Sequence, residues 1–98
     1  MAEIKVTPSE LRAKADILEG LNRQFRQEVE KMVGYESDLA GMWEGEAQRA
    51  FRSAFNTDKQ KMDRFAQNID QYILALREDA QKYEAAEQKN TGIATTRK

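Results

Sequence analysis

Leu11, Leu18, Phe25, Met32 and Leu39 recur every seven residues in the first half of the chain, and Phe55, Met62, Ile69, Leu76 and Tyr83 do so in the second. Seven residues are close to two helical turns, so each row lies along one face of a long helix that packs lengthwise on another. Ala15, Leu21 and Val29 widen the first stripe. Phe51, Phe65 and Tyr72 flank the second, with Asp58 and Asp79 interrupting that flank, and Ala66, Ile73 and Ala80 complete the face.

Local signals set the ends of these elements. Thr7 is placed as an N-cap, Pro8 at the first helical position and Glu10 at the third, the spacing of a capping box. Val6 and Leu11 occupy the two positions of a hydrophobic staple. The spacing therefore predicts a first helix from Pro8 to about Ala40, roughly 50 Å long at 1.5 Å per residue. Gly41-Met42-Trp43-Glu44-Gly45 breaks the pattern and reads as the turn (41–45), because glycine tolerates the backbone reversal after a helix end. A second helix is expected from Glu46 to about Gln88, roughly 65 Å long. Residues 1–90 then form one helical-hairpin domain, and 91–98, with turn formers and no stripe, a flexible tail.

Two such helices pack antiparallel. Each stripe is more than one row wide, so a lone hairpin leaves part of both in water. Burying a Leu or Phe fully is worth about 1.5–3 kcal/mol, and the expectation is an all-α antiparallel hairpin that dimerises into a four-helix bundle. The packing residues expected in the core or dimer interface are the first row together with Phe55, Met62, Ile69 and Leu76.

Composition narrows the function. Sixteen basic residues against seventeen acidic ones leave a net charge of -1, which offers no basic excess for nucleic acid. The chain has no Cys and no His, and so lacks a Cys nucleophile, a thiolate metal site, and the commonest general base and transition-metal ligand. Its many carboxylates belong to the solvated faces of amphipathic helices, with no glycine-rich phosphate loop beside them. The chain is read as a non-enzyme with no cofactor, no metal and no small-molecule ligand. No apolar run reaches the length of a membrane span, and the N-terminus lacks the basic start and apolar core of a cleaved signal peptide.

Trp43-Glu44-Gly45, mid-chain between two matched helices, resembles the turn of the Trp-X-Gly (WXG) family of early-secreted-antigen-like proteins, which are about one hundred residues long. The resemblance runs from the first cap to about Glu87. Tyr83-Glu84-Ala85-Ala86-Glu87 is similar to the Tyr-X-X-X-Asp/Glu export signal of that family, and Tyr83 and Glu87 share one helical face. Tyr83 also extends the Phe55 row and could be a packing residue. Folding the chain back at Trp43, however, sets residue 83 opposite about residue 3, ahead of the first helix, which favours recognition.

The resemblance implies a small protein exported as a folded dimer by a type VII secretion system, without a cleaved signal peptide. It implies as partners a second copy (homodimer) or a related WXG protein (heterodimer), an FtsK/SpoIIIE-type membrane ATPase and, for an escort, a larger secreted substrate. Ile93 loosely matches the apolar residue that helps engage the ATPase in many members. Effector and escort roles both stay open. The alternative is an intracellular coiled-coil adaptor that uses the same stripes, in which localisation would not depend on Tyr83 and Glu87. Membrane perturbation ranks last, because the polar faces mix both charges.

Overall fold

A computed structural model describes the backbone of residues 6–96 and the side chains of residues 6–88. Two helices make up these residues: α1, Pro8–Gly41, and α2, Glu46–Thr96. They pack along each other as an antiparallel hairpin with overall extents of 81 × 22 × 17 Å.

The start of α1 follows its capping sequence. Thr7 is extended, its hydroxyl oxygen accepts the Glu10 N–H at 3.1 Å, and its carbonyl accepts the Leu11 N–H at 3.0 Å. The first bond satisfies one of the otherwise unpaired amides of the first turn, and the second is the helix's first backbone bond. At the other end Gly41 stays helical and the reversal is confined to Met42–Gly45. Gly45 has φ +109°, a conformation that a side chain would strain. Gln48 donates its side-chain N–H to the Ala40 carbonyl at 3.1 Å, so the start of α2 caps the end of α1.

The second boundary differs from expectation. α2 continues past Gln88 to Thr96. The chain's single proline is Pro8, so each residue of 90–96 keeps its N–H for the helical ladder, and Gly92 alone costs only about 1 kcal/mol. Arg97 and Lys98 lie outside the described residues.

The seam between the helices also departs from the simplest reading of the stripes. Its buried residues are Pro8, Ala15, Asn22, Val29 and Glu36 on α1 and Ala66, Ile73 and Ala80 on α2, with Ala40 at the turn. Among the described residues no large side chain is fully buried. Small residues let two helices approach closely, and bulky ones are displaced to the flanks of the contact. Leu11, Leu18, Phe25, Phe55, Met62, Ile69 and Leu76 are accordingly half-buried beside the seam, while Met32 and Leu39 are exposed.

Candidate protein-interaction surface

The hairpin has two unlike flat faces, divided by the seam. One carries ion pairs that cross between the helices. Arg26 reaches Asp70 through both guanidinium nitrogens, at 3.3 and 2.6 Å. Arg77 bridges Asp16 at 3.0 Å and Glu19 at 2.9 Å, and Arg12 pairs with Glu84. The hydrogen bonds from Arg26, reinforced by its charge and by Asn22, hold the Asp70 carboxyl below its usual pKa, and Asp70 in return raises that of Arg26. Arg77 is raised in the same way by Asp16 and Glu19.

The opposite face is apolar. Residues three and six positions after the seam row point to this side on both helices. Leu18, Leu21, Phe25, Phe65 and Ile69 line one groove there, and Met32, Tyr35, Leu39, Phe51 and Phe55 a second, nearer the turn. Phe25 and Phe65 meet edge to face across the hairpin, their ring centroids 5.4 Å apart. Leu21, Phe65 and Tyr72 remain more than half exposed, so this surface is dry in chemistry yet wet in the isolated chain.

Beneath the two grooves lie the polar residues of the seam. Asn22 donates to the Ala66 carbonyl at 3.0 Å and to Asp70 at 2.9 Å, while its own side-chain oxygen is buried without a partner. Glu36, only 7% exposed, accepts one N–H from Arg52 at 2.8 Å. Sequence periodicity did not single out either residue, because a polar group on a heptad row reads as an interruption until its partner on the other helix is known.

The turn motif stands at one end of this surface. Trp43 is half-buried, and its ring centroid lies 5.7 Å from that of Phe51, tilted by 50°. Gly45 supplies the reversal that sets Trp43 over the first turns of α2. The family described as "Proteins of 100 residues with WXG" matches residues 3–88. The chain belongs to that family. Among its relatives in the WXG family, the type VII secretion system extracellular protein A of Staphylococcus aureus (strain USA300) is 29% identical over 89 residues, spanning 91% of this chain and 92% of that one. The crystal structure of the secreted protein EsxB of Bacillus anthracis (Sterne) superposes with a TM-score of 0.76 at 30% identity, covering 85% of this chain and 89% of that chain. Its selenomethionine-labelled form gives 0.76 at 29% identity, covering 89% and 99%.

Tyr83 and Glu87 are at the other end, both exposed on α2, with Tyr83 39% exposed. The contacts of Asn22 with Ala66 and of Glu36 with Arg52 set Ala80 level with Pro8, so Tyr83 falls ahead of the first helix, close to the fold-back count, and the long Arg12 and Glu84 side chains lean towards each other to pair. Tyr83 keeps much of its surface in water. The Ile93 side chain and Ile4 fall outside the described residues.

Proposed function

We propose that this chain is a substrate of a type VII secretion system, exported as a folded four-helix dimer and acting through protein–protein binding, as an effector or as the escort of a larger substrate. The observation that carries the reading is the family match over residues 3–88, turn motif included, together with the likeness of most of the chain to proteins named as secreted or extracellular. No described helix is long and apolar enough to cross a membrane.

The dimer has support in the chain's own surface. The hairpin exposes 8000 Å², whereas a folded monomer of 11.3 kDa exposes about 5,700 Å². The excess is a matter of the elongated shape as well as of exposed apolar rows, and a second hairpin laid on the apolar face covers part of it. The proposed export signal is Tyr83 with Glu87, one turn apart at the end of the hairpin remote from Trp43, read by an FtsK/SpoIIIE-type ATPase. The test is to compare culture supernatant with cell pellet in strains with and without that ATPase. Protein in the supernatant only when the ATPase is present is expected; retention in the pellet of both strains overturns the reading.

A further inference from the structure

Asn22 lies on the floor of the central apolar groove, among Leu18, Leu21, Phe25, Phe65 and Ile69, and is 4% exposed. Its neighbours fix which way round its amide stands. The Ala66 carbonyl can only accept, and so can the Asp70 carboxylate, which its bonds to Arg26 hold ionised. Both take an N–H from Asn22, at 3.0 and 2.9 Å. Asp70 belongs to the ion-pair face, so the Asn22 oxygen is turned away from it, to the groove side. That oxygen is buried and has no donor among the described residues. Glu36, the other polar residue of the seam, is paired with Arg52.

A buried acceptor left bare forfeits its bonds to water and gains nothing for them. Kept in an otherwise dry groove, it marks where a donor arrives from outside the chain. A lone polar residue in a coiled-coil seam selects partner and register in the same way, at a cost in stability. The groove is able to admit a donor: Leu21 and Phe65 in its walls are 55% and 53% exposed, and exposed side chains change rotamer freely. Its lining carries no charge, so an ammonium or guanidinium brought there loses its water against a single amide oxygen. A hydroxyl or an amide loses far less. The fitting donor is therefore neutral. The central rows of this chain do not carry one, because from Leu11 to Leu39 and from Phe55 to Leu76 they consist of Leu, Phe, Met and Ile.

We infer that Asn22 is the partner-selecting residue of the apolar face, and that the partner it favours is a different chain whose helix carries one Ser, Thr, Asn or Gln among its apolar residues, placed to donate to the Asn22 oxygen. This rests on the pairing step of the function proposed above and adds the chemistry by which one partner is preferred to another. A helix that is apolar throughout still covers the groove but leaves the oxygen bare. A helix with the donor in register covers the groove and satisfies it, and the difference between the two is the selectivity.

The test uses full-length chains and brings the donor in on a probe copy. Each probe carries one substitution among the central row residues: Leu18→Gln, Phe25→Gln, Met32→Gln, Met62→Gln or Ile69→Gln. Every probe is mixed with wild type, with Asn22→Leu and with Asn22→Ala, the last leaving the groove unfilled, and circular dichroism confirms that each chain is helical. The chain has no cysteine, so Met42→Cys, at a position 81% exposed, takes a fluorophore. Energy transfer between two labels then gives the dissociation constant of the mixed pair. One probe pairs with wild type about tenfold or more tightly than with either Asn22 variant. The unsubstituted chain pairs with all three alike, or more tightly with the variants. Probes that all fail to distinguish wild type from the Asn22 variants, or that form no mixed pair, overturn the inference. So does an unsubstituted chain that already loses about tenfold on the Asn22 variants, because a second copy then supplies the donor. Loss of the preference leaves the export reading intact, and a chain held in the pellet with the preference present does the reverse.

Discussion

Arg26 and Asp70 face each other across the hairpin as a forked pair, and Asp70 also accepts from Asn22 below it. One carboxylate thus joins the solvated ion-pair face to the buried seam. Its hydrogen bonds exist only in the folded chain, and they hold its pKa below the ordinary value. The folded state therefore binds the Asp70 proton less tightly than the unfolded state. The stability this contributes is present above the ordinary carboxylate range and is lost as pH falls through the depressed folded-state pKa. Asp70→Asn should be less stable than the wild type at pH 7, with the gap closing as the solution is acidified below that range. Urea midpoints of the two proteins across pH check this, and a gap that widens in acid is incompatible with it.

Asn22 should tolerate loss of its amide better than conversion to an acid. Asn22→Leu removes an orphaned buried acceptor together with two donated bonds, and should change stability by about 1 kcal/mol at most. Asn22→Asp places a carboxylate against the Ala66 carbonyl and Asp70, with only the Arg26 guanidinium that Asp70 already holds to offset it, and should cost about 3 kcal/mol at neutral pH. Chemical denaturation of the two variants distinguishes them.

The glycines should separate by conformation. Gly45→Ala forces a side chain into φ +109° and should cost about 1–3 kcal/mol. Gly20 and Gly34 are helical with nothing within 4 Å of an added Cβ, so alanine at either should raise stability by up to about 1 kcal/mol. Thermal melts of the three single variants, at one protein concentration, give the comparison.

Phe25→Asp and Ile69→Asp place a charge on the half-buried rows of the apolar face. Either should abolish association, which light scattering reads, and lower helicity in circular dichroism. A dimer of wild-type mass in both variants would count against this face as the contact.

Tyr83→Ala combined with Glu87→Ala should abolish appearance in the culture supernatant and leave fold and dimer intact, because both side chains are exposed. Immunoblots of supernatant and pellet, with circular dichroism of the purified variant, test the two halves of that expectation together. Normal export of the double variant removes the role assigned to the pair.

The local elements were legible in the chain because their causes are local. Thr7, Pro8 and Glu10 fix the start of α1 through bonds within one turn, Gly45 fixes the reversal through its own φ, and the seven-residue rows declare two long helices and a surplus of apolar surface. The WXG motif was legible for the same reason. What the tertiary structure decided was which of several adjacent rows becomes the seam. Helical periodicity is satisfied equally by the row of Leu11 and by that of Ala15, and only the distance between two axes chooses between them. Ala15, Ala66 and Ala80 permit the close approach, Asn22 and Glu36 find partners across it, and the large residues are left flanking it on one side. The pairing of Arg12 with Glu84 depends on how side chains lean across that contact, which no residue encodes by itself.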